Sequence, residues 1–184
     1  MVVMTVEQVD IYTVADLERE RGRDDRLRWE LLDGELVVTP SPRPIHQSVL
    51  GRLHLLVAPA VDDELEVYLA PLDVQLSERT VLQPDLLIIP RSDVTEEGIF
   101  TAPILAVEIL SPSTRHRDLV TKLGILQRAG CPHYWVLDPA DESVRIFELA
   151  GDAYRLVTHA RGAEDVTVRS PVEMTFSMRD LLPR

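Results

Sequence analysis

The sequence predicts a mixed α/β or α+β fold, in which a mixed β-sheet carries helices on its faces. Alternating apolar and polar residues on both sides of Asp33-Gly34 and of Gly151-Asp152 predict an N-terminal and a C-terminal β-hairpin. Two nearly continuous apolar runs, VLQPDLLIIP and PILAVEIL, are typical of strands covered on both faces. A helical stretch between PILAVEIL and HYWVLDP implies a right-handed crossover joining parallel strands. A length of 184 residues fits one domain, expected over residues 1–184.

The N-terminal half is expected to begin with a short helix, opened by a capping box at Thr13 and Asp16 and ended near Gly22. The hairpin LRWELLDGELVVTP follows. Prolines then lead into a helix, IHQSVLGRLHLLVAPAV, whose apolar residues recur at helical spacing. The next stretch, LEVYLAPLDVQLS, alternates with period two, and Pro71 places any break at its centre.

The C-terminal half starts with the two apolar strands, separated by a polar loop. A helix is predicted from Ser111-Pro112-Ser113-Thr114 to about Ala129, with Gly130 as its C′ residue. The buried strand HYWVLDP, the hairpin SVRIFELAGDAYRLVTH, a short strand and a turn at MRDLL complete the expected order.

Composition favours a cytoplasmic globular protein. No apolar run approaches the ~20 residues needed to cross a bilayer, and the N-terminus lacks the basic start of a secretory signal. Cys131 is the only cysteine, so an internal disulfide is excluded and a reducing compartment is expected.

The charge distribution leaves a nucleic-acid partner open. The net charge of -12 is unusual for a protein that neutralises phosphates. Between Leu110 and His133, however, four Lys and Arg residues stand against one acid. A locally basic segment on an acidic body fits a bound phosphate chain and equally fits a solvated helix face.

Two carboxylates within the apolar runs are the strongest indication of chemistry. Asp85 precedes LLII, and Glu108 lies within LAVEIL. An unpaired ionised carboxylate in such surroundings costs several kcal/mol, and a cation shared by two adjacent antiparallel strands would remove that cost. Oxygen ligands with open water positions suit Mg²⁺ or Mn²⁺. The alternative is that Asp85 lies at the mouth of its strand and Glu108 faces solvent.

Several stretches taken in order resemble the Uma family, bacterial proteins grouped with restriction endonucleases in the PD-(D/E)XK nuclease superfamily. They are WELLDGELVV, SPRPIHQ, QPDLLII, VEILSPST, RDLVTKLGILQRAG and HYWVLDP. The resemblance covers about residues 12–139 and extends weakly to Leu182. It implies a restriction-endonuclease-like core, DNA as substrate, and metal ligands at Asp85 and Glu108.

One position departs from the superfamily pattern. A lysine is expected two residues after the Glu, and Leu110 occupies that place. The resemblance points instead to Lys122, which would enter from the following helix and assist the attacking water. The alternative role for Lys122 is a surface ion pair with Asp118, four residues earlier.

The resemblance also marks Glu30 and His46. Glu30 is a further candidate metal or water ligand, or else an outward polar residue of an alternating strand. His46 is a candidate phosphate donor or proton shuttle, or else a structural histidine. Ser111, Ser113 and Thr114 suit helix capping, while Arg115 and Arg117 would extend a grip on phosphate.

The predicted function is Mg²⁺-dependent endonuclease activity on DNA through Asp85, Glu108 and Lys122, with Glu30 and His46 as secondary site residues. A catalytically weak or inactive binding or assembly module is the alternative, and a hydrolase for another phosphate ester is a third. The strand YWVL and the surface acids would also suit a homodimer interface.

Overall fold

The structure, a computed structural model, describes residues 11–24 and 27–183. In these ranges the strands are β1 (Arg28–Leu32), β2 (Glu35–Thr39), β3 (Leu65–Leu69), β4 (Val74–Ser77), β5 (Thr80–Leu82), β6 (Leu86–Pro90), β7 (Leu105–Ile109), β8 (His133–Asp138), β9 (Ser143–Ala150), β10 (Ala153–Arg161), β11 (Val166–Val168) and β12 (Met174–Phe176). The α-helices are α1 (Val14–Arg23), α2 (Pro44–Val57), α3 (Leu123–Ala129) and α4 (Met178–Leu181). A π-helical segment, Arg117–Lys122, runs directly into α3.

The larger sheet has six strands in the order β10-β9-β8-β7-β6-β3. Strands β7 and β8 are parallel, and every other neighbouring pair in it is antiparallel. The predicted mixed sheet and the predicted antiparallel neighbours β6 and β7 are therefore confirmed. A second sheet of four strands has the order β2-β1-β5-β4, and β11 pairs with β12.

The second sheet was not predicted, and it divides two stretches that the sequence presented as continuous. In LEVYLAPLDVQLS, β3 joins the six-stranded sheet and β4 the four-stranded sheet. In VLQPDLLIIP, β5 and β6 part in the same way. A proline stands in each break, Pro71 and Pro84, and proline lacks the N–H that a continuous ladder would need.

Both predicted hairpins are confirmed. Asp33 and Gly34 turn β1 into β2 with φ values of 52° and 92°, the left-handed region that a type I′ turn requires. Strands β9 and β10 pair on either side of Gly151-Asp152. The capping box of α1 also forms, since the Thr13 N–H donates to Asp16 Oδ2 at 2.9 Å.

The central strands of the six-stranded sheet are covered on both faces by apolar side chains. One face packs against α2 and the C-terminal elements, in a cluster that includes Val49, Leu53, Val107, Trp135 and Phe176. The opposite face meets α3 and the four-stranded sheet, in a cluster that includes Leu32, Leu82, Ala106, Leu126 and Tyr134. Burial on both faces explains why β6, β7 and β8 read as nearly continuous apolar runs.

Two further features bear on the sequence predictions. Tyr134 and Trp135 in the strand YWVL are fully buried, so this strand offers no surface for the homodimer considered above. The homodimer itself stays a prediction. None of the described helices has the length and apolar character needed to cross a bilayer.

Candidate active site

A pocket of about 210 Å³ opens beside the seam between the two sheets. Its charged lining consists of four acids and four bases: Glu30, Asp85, Glu108, Asp118, Arg28, Arg43, Arg117 and Lys122. Each of the four acids is at most 4% exposed. Such burial is rare for carboxylates that lack charged partners, so their partners define the site.

Lys122 is the centre of this acidic cluster and is only 3% exposed. Its Nζ donates to Glu108 Oε1 at 2.7 Å, and lies 2.9 Å from Glu30 Oε1 and 3.8 Å from Asp118 Oδ1. The ion pair with Asp118 that the sequence also allowed is therefore present, but it lies in the buried cluster and not on the surface. The side chain comes from the π-helical segment, a type of turn found frequently at functional sites.

Glu30 lies on β1, in the four-stranded sheet, and faces the pocket rather than solvent. Its Oε1 accepts the Gln83 N–H at 2.8 Å, and its Oε2 accepts the Thr39 hydroxyl at 3.0 Å. Alternation along β1 correctly predicts that Glu30 lies on the opposite face of the strand from the apolar side chains of Trp29 and Leu31. The expectation of an outward polar residue is nevertheless wrong, because the face that carries Glu30 is covered.

Asp85 stands between Pro84 and β6, where the chain passes from one sheet to the other. Its Oδ2 accepts the Ile109 N–H at 2.8 Å and lies 3.0 Å from His46 Nε2. Arg28 Nη1 is 4.0 Å from Asp85 Oδ1. His46 thus touches a carboxylate instead of standing free, and its ring holds Asp85 in place.

Among the described residues, Lys122 and Arg28 are the only Lys or Arg side chains within 4.0 Å of the four carboxylates, and the pKa values of the acids divide accordingly. Burial would raise the pKa of Glu30 and of Asp85, but Lys122 beside Glu30 and His46 beside Asp85, together with donated N–H bonds, hold both pKa values below their usual range. Burial raises the pKa of Glu108 well above its usual value, and neighbouring carboxylates raise it further. Burial likewise raises the pKa of Asp118.

Lys122 itself stays charged. Burial alone would lower the pKa of its ammonium group, but Glu108, Glu30 and Asp118 outweigh burial and raise the pKa above its usual value. A permanently protonated lysine donates hydrogen bonds and offsets negative charge, and it does not accept a proton near neutral pH.

Asp85 and Glu108 offer oxygen atoms of the kind that a hard divalent cation binds. Asp85 and Glu108 each commit one oxygen, Oδ2 and Oε1, to the contacts above. Asp85 Oδ1 and Glu108 Oε2 accept no hydrogen bond within the described ranges. Two carboxylate oxygens that accept no hydrogen bond, in a pocket that buries four acids, suit Mg²⁺ or Mn²⁺. No ready-made group of three His, Cys, Asp or Glu ligands exists among residues 11–24 and 27–183.

The structure brings all five sequence-predicted site residues to one pocket: Glu30, His46, Asp85, Glu108 and Lys122. It separates the two arginines that the sequence considered together. Arg117 lines the pocket, whereas Arg115 forms an ion pair with the buried Asp138. Thr114 Oγ1 accepts the Ser111 N–H at 3.2 Å, which fits the capping role expected for this segment.

Sequence reasoning gave too little weight to Asp118, which is a buried member of the cluster. It also missed Arg28, whose guanidinium donates to Gln83 Oε1 and to the Gln83 carbonyl, both at 2.7 Å. One signal was available in the composition: Lys122 is the only lysine of the chain, and the other eighteen cations of its Lys and Arg count are arginines.

Cys131 lies outside this pocket and shows no sign of an activated thiol. It is fully buried, and its Sγ donates to the His133 carbonyl at 3.2 Å. Burial raises the pKa of the Cys131 thiol to about 11. A nucleophilic cysteine needs the opposite shift.

Comparison with known proteins agrees with this description. The model of the Uma2 family, described as "Putative restriction endonuclease", matches residues 14–180. Among solved structures, a protein of Anabaena variabilis described as "a putative nuclease belonging to DUF820" has a similar fold, with a TM-score of 0.66 and 21% sequence identity. The match covers 83% of this chain and 88% of that chain. No protein with a curated functional description matches this sequence.

Proposed function

Because the chain belongs to the Uma2 family of restriction-endonuclease-like proteins, we propose that it is a metal-dependent endonuclease that hydrolyses phosphodiester bonds in DNA. The observation that carries the proposal is the buried constellation of Glu30, Asp85, Glu108 and Lys122 in one pocket. A cluster of acids around a single charged lysine is expensive to bury and has no evident structural necessity.

Asp85 and Glu108 are the proposed metal ligands, through the oxygens that accept no hydrogen bond among the described residues, and Glu30 is a further candidate. When bound, Mg²⁺ or Mn²⁺ supplies a water of lowered pKa and stabilises charge on the phosphate. Burial is the main cause of the raised pKa of Glu108, and a bound cation would offset the neighbouring carboxylates that raise it further.

Hydrolysis forms a bond from a water oxygen to phosphorus and breaks one P–O bond to a sugar, whose oxygen then takes a proton. Lys122 assists as a charged donor: its ammonium group offsets negative charge as it builds on the phosphate. The three carboxylates around it raise its pKa, so the role proposed for Lys122 is that of a charged donor and not of a base. His46 is proposed as a positioning residue, because its Nε2 contacts Asp85 and fixes the orientation of that carboxylate.

Nicking of supercoiled plasmid with and without Mg²⁺ or Mn²⁺ tests the proposal. We expect cation-dependent nicking that falls at least about a hundredfold in Asp85→Asn and Glu108→Gln, the order of magnitude for loss of one essential polar group. Both variants keep the side-chain shape and a hydrogen-bonding capacity, so a circular-dichroism melt should report a folded protein.

Asp152→Asn is the matched control, since it removes a carboxylate from the exposed β9–β10 turn and should leave nicking unchanged. Parental protein that leaves supercoiled, linear and single-stranded DNA intact with both cations contradicts the proposal. So does an Asp85→Asn variant as active as the control.

A binding or assembly module is the second candidate, and one observation favours it. Lys122 already compensates part of the acidic cluster, and no preformed three-ligand cation site exists in the described part of the chain. In such a module the cluster would serve stability alone, and divalent cations would neither bind nor change its melting temperature.

A further inference from the structure

Two arginines at the pocket lack an acidic partner among the described residues. Arg43 and Arg117 line the pocket, and neither has a carboxylate within 4 Å among residues 11–24 and 27–183. The other pocket cations are engaged: Lys122 contacts Glu108 and Glu30, and Arg28 donates to Gln83. Arg43 and Arg117 are therefore the pocket cations that remain available to an anionic ligand.

The contrast with Arg115 shows that this is not a property of the whole segment. Arg115 lies two residues before Arg117 and pairs with Asp138, which is 1% exposed. Asp138 also accepts the Ala140 and Asp141 N–H groups, so that pair is part of a structural corner. Arg117 is left on the pocket side.

Arg117 also has an unsatisfied donor. Its Nη1 is enclosed and has no hydrogen-bond partner in the described structure. A buried donor left unpaired costs about 1–3 kcal/mol, and this cost disappears when an acceptor reaches it. Phosphate oxygens are well-matched acceptors, since guanidinium and phosphate form charge-assisted and often bidentate hydrogen bonds.

Arg43 approaches the same pocket from another element, and its backbone is held by its neighbours. It is the N-cap residue of α2, between Pro42 and Pro44, with φ -75° and ψ 156°. Prolines on both sides restrict the backbone at this point, so the exposed side chain of Arg43 starts from a fixed position at the pocket rim.

We propose that Arg43 and Arg117 bind phosphate groups of a DNA strand on either side of the phosphodiester that enters the acidic pocket. This inference rests on the proposed function and names the residues that hold its substrate. The acidic floor repels phosphates, and the two guanidinium groups at the rim supply the attraction that the whole molecule lacks. Together they set which phosphate along the strand lies above Asp85 and Glu108.

Salt-dependent DNA binding tests the two arginines quantitatively. In a Glu108→Gln background, fluorescence anisotropy of a labelled duplex would be measured over a range of NaCl concentrations. The logarithm of the binding constant falls against the logarithm of salt by about 0.9 for each phosphate contact. Arg43→Gln and Arg117→Gln should each lower this slope by about 0.9, and the double variant by about 1.8.

Arg115→Gln and Arg155→Gln are the matched controls, because Arg115 is paired and Arg155 is exposed on β10, the edge strand. Both should keep the parental slope. In the otherwise intact protein, Arg43→Gln and Arg117→Gln should raise KM for plasmid nicking with little change in kcat. Circular-dichroism melts establish that the four variants fold like the parent.

The outcomes separate the two proposals. Parental protein that cleaves DNA, with Arg43→Gln and Arg117→Gln indistinguishable from Arg155→Gln, overturns the phosphate contacts and leaves the nuclease. Protein that binds DNA with the expected slopes but never cleaves it overturns the nuclease and keeps the contacts. Protein that binds neither duplex nor single-stranded DNA overturns both.

Discussion

Lys122 combines two properties that seldom coincide, complete burial and undiminished charge. The ammonium group is surrounded by Glu108, Glu30 and Asp118, and their combined field exceeds the cost of burial. Replacing such a residue leaves acids without compensation, a loss of about 3–5 kcal/mol for a broken buried pair. Stability and the proposed chemistry therefore depend on the same atom, Lys122 Nζ.

The first prediction concerns the protonation of Lys122. Because it is the only lysine, selective isotope labelling of lysine gives a single side-chain signal by NMR. In the folded protein this signal should show no titration up to pH 10.5, since the pKa of Lys122 is raised above that ordinary value. In urea-unfolded protein, the control, it should titrate near its ordinary value.

The sign of the linked stability follows from the raised pKa. The contribution of Lys122 is fully present below the pKa of the unfolded chain and is lost as pH rises through the higher pKa of the folded protein. A folded-state midpoint at or below 10.5 would show that the three carboxylates do not hold the proton.

The candidate site could be predicted at the level of residues better than at the level of their contacts. Asp85 and Glu108 stood out because carboxylates interrupt apolar runs. For Glu30, alternation along β1 showed only that its side chain lies on the opposite face of the strand from those of Trp29 and Leu31. Which face is covered depends on where the second sheet lies, and that information is not local to the strand.

At the scale of elements, the apolar patterns predicted where the strands lie, but they did not predict which strands share a sheet. The two stretches divided by Pro71 and Pro84 each supply one strand to each sheet. Neither the period-two alternation of LEVYLAPLDVQLS nor the nearly continuous apolar run of VLQPDLLIIP indicates which sheet buries a strand. The π-helical turn at Arg117–Lys122 was read as ordinary helix for a similar reason, since both place apolar residues on one side.

The second prediction concerns the effect on stability of replacing two glycines by alanine, one at the end of α3 and one inside α2. Gly130 closes α3 with φ 80°, so Gly130→Ala should lower the free energy of unfolding by about 1 kcal/mol. Gly51 lies inside α2 with nothing within 4 Å of an added methyl group, so Gly51→Ala should raise it by roughly 0.5–1 kcal/mol.

Urea unfolding of the two variants and the parent measures both effects. Opposite signs are the expected result, because the same substitution meets a left-handed backbone at one position and a helical backbone at the other. Equal signs would mean that helix geometry does not decide the cost.

At the scale of the molecule, an acidic protein that binds a phosphate chain is expected to contact it through basic side chains. The net charge of -12 opposes nonspecific attraction to DNA, so contact must be local. The pocket provides local positive charge for such a contact, because Arg43 and Arg117 lie at its rim and the carboxylates lie beneath them.

Cation binding gives the third prediction. A ligand that binds only the folded protein stabilises it by about 2.7 kcal/mol at a hundred times Kd. For a chain of this size, that corresponds to an increase in melting temperature of roughly 5–10 °C with Mn²⁺. Asp85→Asn should abolish the increase, and Asp152→Asn, on the distant hairpin turn, should retain it.

Melting curves with Mn²⁺, with Mg²⁺ and with a chelator make the measurement. An unchanged melting temperature in the parental protein would favour the binding-module alternative over the nuclease.

The placement of Lys122 between the sheets also bears on the order of folding events. The cluster joins segments far apart in the chain: the Gln83–Glu30 bond spans 53 residues and the His46–Asp85 contact spans 39. An intermediate with only the six-stranded sheet formed would have to bury Glu108 and Lys122 without Glu30, or leave them hydrated. Docking of the four-stranded sheet is therefore expected to occur in the same cooperative transition as formation of the six-stranded sheet. Because the contacts of the cluster join residues far apart in the sequence, this transition is expected to be slow. The pocket and the complete fold are therefore expected to form in the same step.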